Sequence, residues 1–456
     1  MIRLSIASLR RDGRAVFAPL LLMTAAAVLM SIALHCLWSS ITPDGARAIA
    51  EAPEGTPGAL ISVSVFLIVL GLGVPIAVCI SIVSSLAIRE SESVYASWRL
   101  AGASPNQVRV AVRMRSMISA SVAGICGYLI SLPLLQPAVG FLVSSTDIEV
   151  DLRVQLGPVP FLALVLLLWL LTAIGSSRPA KRAANVKPIV LFVEPLARST
   201  HVRVRGVFAG ILASVVIALG VVALGTDQTS DRAMLAIFVG FALIVCVTLG
   251  APVILPPLVR LWTAFPGLSG IPAWYLARHQ VQSKLSTTTA AVIPLTIAAS
   301  MIGAYFSVLG TWEAVVGRGL SGGSANVTQG IVLFGPGALL ALLAAACNLF
   351  TVGRLRERYE GTLRAVGVSR RTARDAGMLE ALIYAVTALI VGVLVSCLSS
   401  LLIAIPAAVS GDGFHLVVDV RWLLLIVFIG FIPLALSIQL PIRAASRQSL
   451  GIILSK

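Results

Sequence analysis

Few residues in this chain are able to do chemistry, and none forms a catalytic or metal-binding pattern. The four histidines, His35, His201, His279 and His415, are scattered over loops and the ends of apolar runs. No HExxH occurs, and no GxxxxGK[ST] loop offers backbone amides to a nucleotide's phosphates. Cys36, Cys79, Cys126, Cys246, Cys347 and Cys397 each lie inside an apolar stretch without CxxC spacing, so they read as small hydrophobes. His35, near the end of the first apolar run, reads as a histidine at lipid-headgroup level. Glu380 stands out as a candidate functional acid, because it enters an apolar run where an ionisable group is costly without a partner.

The strongest pattern is a repeated polar loop. RESESVYASWRLAGASPNQVRVAVRMR from Arg89 and RLRERYEGTLRAVGVSRRTARDAGMLE from Arg354 align at an offset of 265 residues. Identical pairs are Arg89/Arg354, Glu92/Glu357, Arg99/Arg364, Gly102/Gly367, Ser104/Ser369 and Arg109/Arg374, and Gly127/Gly392 and Ser131/Ser396 stay in register beyond the loop. Each copy predicts two helices joined by an elbow. Gly102 and Gly367 suit a helix C′ position, which favours positive φ. Ser104 and Ser369 suit an N-cap, Pro105 the first helical position, and Gln107 the third position of a capping box. Ala103 and Val368 complete the two elbows. A rigid knob continuous with a membrane helix is suited to transmit force, and Arg99 and Arg364 are placed to meet acids on a partner.

Such knobs need a scaffold, and the scaffold is apolar. Of the 456 residues, 58% are hydrophobic and 12% charged, with a mean hydropathy of +0.99; soluble domains carry about 25% charged residues. Ten runs approach the roughly 20 residues needed to span a bilayer: 16–38, 60–88, 112–141, 158–177, 206–225, 233–257, 286–310, 327–352, 378–409 and 422–440. Pro133 and Pro137 late in the third run and Pro406 late in the ninth predict kinks, and Pro252, Pro256 and Pro257 crowd the end of the sixth. With ten spans and both termini in the cytoplasm, all but five of the 34 Lys and Arg fall inside; the exceptions are Arg47, Arg153, Arg232, Arg318 and Arg421. This is a positive-inside pattern, and it accounts for the net charge of +15 without nucleic acid.

The expected fold is all-α and polytopic: two homologous four-helix units, a two-helix spacer, and cytoplasmic amphipathic and coupling helices. The expected divisions are 1–190 with its coupling loop at 89–112, 191–271 with spans five and six, and 272–456 with its coupling loop at 353–377. The runs Arg178-Pro179-Ala180-Lys181-Arg182-Ala183-Ala184 and Pro441-Ile442-Arg443-Ala444-Ala445 close the two units alike.

The doubled Arg-x-x-Gly-x-Ser elbow and these basic tails resemble the FtsX-like (MacB-type) ABC permease domain. The layout is closest to ten-span permeases of peptide-antibiotic resistance, without their large extracellular domain. The resemblance implies a non-catalytic permease in a bacterial plasma membrane. It places ATP and Mg in a separate cytoplasmic ATPase, two copies per permease, with no cofactor held by this chain. It assigns ATPase coupling to Arg99, Gly102 and Ser104 and to Arg364, Gly367 and Ser369. Membrane lipid and an amphipathic substrate, such as an antimicrobial peptide, lipid or drug, are the other expected partners. Two other readings stand beside export. One is a sensor reporting antibiotic or envelope stress to a membrane histidine kinase; the other is a secondary transporter that needs no ATPase. The family's Glu entering the third helix is matched by Glu380, whereas the first unit has Arg115 there.

Overall fold

A computed structural model describes residues 13–44, 71–90, 92–144, 153–185, 229–264, 271–283, 285–316, 323–351 and 366–447 except Asp412, with a few isolated positions between them. These residues form eleven helices: α1 (Gly13–Ile41), α2 (Val74–Glu90), α3 (Glu92–Leu100), α4 (Pro105–Ser144), α5 (Pro158–Ala184), α6 (Thr229–Trp262), α7 (Pro272–Ser283), α8 (Leu285–Val316), α9 (Gly323–Thr351), α10 (Arg370–Ser410) and α11 (Val420–Arg447). The protein is an all-α, multi-pass membrane protein. A helix satisfies every interior backbone group within itself, which hydrocarbon demands.

Among the described residues, seven helices are long and apolar enough to cross a membrane. They correspond to the first, third, fourth, seventh, eighth, ninth and tenth expected spans. The sixth is a bent pair, Leu235–Ala251 and Val253–Trp262, turning by 84°. Pro252, Pro256 and Pro257 explain the bend, since each lacks an N–H and crowds the preceding turn. Only the later part of the second expected span is described, as the shorter apolar stretch Gly71–Ser85 and the rest of α2. The fifth, 206–225, lies outside the described residues apart from isolated positions. Helical assignment continues past Pro133 and Pro137 in α4 and past Pro406 in α10.

The chain divides into two compact units: Met1–Ala197 with Gly322–Cys347, and Arg198–Ser321 with Asn348–Lys456. In unit 1, α1 packs on α2, α4 and α5, α4 packs on α5, and α2 packs on α5. In unit 2, α8 packs on α10 and α11, and α10 packs on α11. The trio α8/α10/α11 therefore repeats α1/α4/α5. The bent α6 adds a further layer against α8 and α10, with Ala236, Val308 and Ile403 at its core.

The matched glycines explain the close seams. A Cβ on Gly127 would sit 2.5 Å from Ala27 Cβ and 2.9 Å from the Thr24 carbonyl of α1. On Gly392 it would sit 2.9 Å from Leu423 and 3.3 Å from Ala299 of α8. The first repeat thus needs glycine where the span after the elbow meets α1, whereas Gly392 sits nearest the Leu423 side chain of α11 and beside Ala299 of α8.

The opposite ends are tied by loops pinned to hydroxyls. In unit 1 the Gln155 N–H donates to Ser39 Oγ at 3.0 Å. In unit 2 the Asp419 N–H donates to Ser307 Oγ at 3.1 Å and the Val417 N–H to Thr311 Oγ1 at 3.1 Å.

Candidate functional site

The first elbow ends α3 in a Schellman turn. The Ala103 N–H donates to the Trp98 carbonyl at 3.0 Å and the Gly102 N–H to the Arg99 carbonyl at 3.1 Å. This is the double closure expected when C′ is left-handed, and Gly102 has φ 89°. Arg99 Nη1 donates to the Ala103 carbonyl at 2.8 Å. At least one arm of this guanidinium therefore staples the elbow itself, a role the sequence did not disclose.

The next helix starts with a complete capping box. The Gln107 N–H donates to Ser104 Oγ at 3.3 Å, and the Ser104 N–H donates to Gln107 Oε1 at 2.8 Å. Pro105 occupies the first helical position of α4.

Behind the elbow, Tyr95, Val108 and Val112 pack with Ala180 and Ala183 of α5, flanked by Trp98 and Ala103. The basic tail of α5 is thereby explained. Its alanines face inward, while Lys181 and Arg182 face out. The knob is seated on the end of a spanning helix.

The second elbow is built alike. The Val368 N–H donates to the Leu363 carbonyl at 3.0 Å, and Gly367 has φ 96°. Ser369 is extended at φ −67° and ψ 150°, and its Oγ accepts from the Thr372 N–H at 3.1 Å. Thr372 Oγ1 lies 2.8 Å from the same Oγ, in the place that Gln107 takes in the first copy. Arg364 lies outside the described residues. The α11 tail again seats the knob. Gln439 Nε2 donates to the Arg374 carbonyl at 2.8 Å, and a Cβ on Gly377 would lie 2.7 Å from Ile442.

Both tips are open. No heavy atom lies within 4 Å of a Cβ built on Gly102 or Gly367, and Leu100 and Val366 are 57% and 84% exposed. Each knob thus pairs a rigid backbone with a small apolar tip.

Glu380 is 6% exposed, inside the helix packing rather than at its surface. Tyr384 Oη donates to Glu380 Oε1 at 2.5 Å. One turn on, Trp262 Nε1 donates to Thr387 Oγ1 at 3.1 Å, and Trp262 meets Trp274 of α7 edge-on. His35 also lies inside the helix packing. It is fully buried, because the seam between α1 and α4 encloses it. The signal was present as polar residues at helical spacing, Ser31, His35 and Ser39. Among the described residues no three His, Cys, Asp or Glu side chains could hold a metal ion.

The family signature described as FtsX-like permease C-terminal matches residues 76–188 and 331–450, once in each repeat. The chain belongs to the FtsX-like permease family. Each match spans one elbow and the two helices that follow it. Membership marks the chain as a permease component of an ABC transporter and implies ATPase partners. No curated protein matches the chain.

Proposed function

We propose that this FtsX-like permease carries two mechanically coupled knobs, each gripped by one cytoplasmic ATPase subunit holding ATP and Mg. The observation that carries this reading is the paired elbow: two left-handed glycines, two side-chain caps and two open apolar tips, each seated on the end of a spanning helix. A knob so braced conveys a push without deforming. The repeats 1–190 and 272–456 supply one knob apiece, so one chain takes two ATPases. The membrane is a bacterial plasma membrane with both termini in the cytoplasm, where the basic residues gather.

The cargo is an amphipathic or lipophilic molecule that is exported or released. The apolar character of the spans supports this class, since few charged side chains interrupt them. Signalling to a membrane histidine kinase is the competing use of the same motion.

The deciding experiment is Gly102→Val combined with Gly367→Val. Both positions have room for the side chain but a backbone that valine adopts poorly. Membrane insertion is expected to persist while the ATPase no longer co-purifies. Normal co-purification would remove the docking role from the elbows.

A further inference from the structure

Ser31, His35 and Ser39 form a stripe along α1, and all three are fully buried. Their spacing of four puts them on one helical face, and that face meets α4. Ser131 Oγ donates to the Tyr128 carbonyl at 2.7 Å. Its single proton is thereby used, so in the 2.8 Å contact between Ser31 Oγ and Ser131 Oγ the donor is Ser31. This bond ties α1 to α4 across the seam.

The same accounting fixes the histidine tautomer. His35 Nδ1 lies 2.8 Å from the Ser31 carbonyl. A carbonyl only accepts, so Nδ1 carries the proton in the neutral ring. Nε2 is then a lone pair, and it is buried with no hydrogen-bond partner. A buried polar atom without a partner calls for an explanation.

Polar groups continue from His35 toward one end of the helix. Ser39 lies one turn from His35 and accepts from the Gln155 N–H, while Gln155 Nε2 donates to Asp44 Oδ2 at 2.8 Å. Asp44 is exposed. We propose that His35 is a proton-binding latch. A proton from the bathing solution at the Asp44 end is taken up at Nε2, and the charged ring releases the seam between α1 and α4.

Among the described residues, the closed seam offers the new N–H no carboxylate. Among titratable groups on the elements packed against α1, α4 brings the Tyr128 phenol into ring contact at 5.7 Å and holds Cys126 on an exposed face. Helix α2 contributes buried Cys79, α5 carries no titratable group before Arg178, and the pinned loop carries exposed Arg153. On α1 itself the neighbours are Cys36 and Asp44. The imidazolium is therefore better satisfied when the ring swings toward water and Asp44. The closed seam binds fewer protons than the open one, so acid favours opening.

Unit 2 has no such latch. Ser396, the partner of Ser131 in the repeat, has a buried Oγ without a hydrogen bond. Gly303 of α8 stands beside it, and α8 contains no histidine. Among the described residues this seam latch is therefore found in the first repeat alone.

The test uses the full chain in lipid nanodiscs, well above and well below the ordinary histidine value of about 6.5. Histidine ¹⁵N spectra are compared with those of His35→Gln to assign the ring. The neutral Nδ1–H tautomer is expected at high pH and the imidazolium at low pH. Hydrogen exchange in the outer halves of α1 and α4, corrected for intrinsic pH dependence, is expected to rise several-fold on acidification in the natural chain. It is expected to stay flat in both His35→Gln and His35→Leu. An Nε2–H tautomer, a ring that never titrates, or an equal rise in either variant overturns the proposal.

Discussion

Ser104 and Gln107 cap each other: the amide of each donates to the side chain of the other across the first turn of α4. In the second copy Ser369 still receives the Thr372 amide, but Thr372 is too short to reproduce the reciprocal bond that Gln107 provides. The two elbows share a backbone and differ in how firmly the following helix is started. Losing a serine N-cap costs about 1 kcal/mol, roughly a fivefold change in a local opening equilibrium. Ser104→Ala should therefore raise hydrogen exchange in the first turn of α4 about fivefold. Gln107→Ala should do less, because it leaves the Ser104 bond to the Gln107 amide in place. Exchange measured by mass spectrometry on overlapping peptides checks both.

The elbow glycines allow backbone strain to be separated from steric clash. At φ 89° and 96°, with nothing near a built Cβ, Gly102 and Gly367 reject other residues through conformation alone. Asparagine visits this region more readily than alanine, and a β-branched residue does so least. ATPase co-purification should fall in the order glycine, asparagine, alanine, valine at either position. A left-handed residue other than glycine costs roughly 1–2 kcal/mol, so the alanine variants should still insert and fold. An effect following side-chain volume instead of left-handed propensity would point to a packed tip.

Seam glycines act through the opposite mechanism. Gly127→Ala places a Cβ against Ala27 and the Thr24 carbonyl, so α1 and α4 must separate. Overpacking of this kind costs about 1–3 kcal/mol. Gly140→Ala, also in α4, meets nothing within 4 Å and serves as the control. It should be neutral or slightly stabilising, because alanine favours the helix. Thermal unfolding of the purified chain in detergent should separate the two, with Gly127→Ala the less stable.

Much of this architecture was legible because hydropathy and turn chemistry are local. The spans follow from apolar runs, and the elbows follow from Gly102, Ser104, Pro105 and Gln107, whose roles are set within a few residues. The repeat made the second elbow readable from the first. What stayed hidden depends on neighbours distant in sequence. Arg99 looked like a group awaiting an acid, yet Nη1 turns back to the Ala103 carbonyl. For His35 the place along α1 was visible while its azimuth toward α4 was not. Ala180 and Ala183 belonged to a basic tail until α3 and α4 packed on them.

Glu380 and Tyr384 present the sharpest energetic case, because an acid 6% exposed donates nothing when ionised and must be given hydrogen bonds. The Tyr384 hydroxyl supplies one at 2.5 Å. Tyr384→Phe removes that donor and leaves the carboxyl under-satisfied, which should destabilise the chain by about 1–3 kcal/mol. Glu380→Gln keeps an acceptor oxygen for the phenol and should be milder. Glu380→Leu removes the acceptor, and Glu380→Leu with Tyr384→Phe removes both partners together, so the double variant should be more stable than the summed losses of Glu380→Leu and Tyr384→Phe predict. Unfolding of the four proteins of the cycle measures this coupling, which should reach at least about 0.5 kcal/mol for residues in contact. A coupling near zero would mean that Glu380 is held by its other neighbours and that Tyr384 is a bystander.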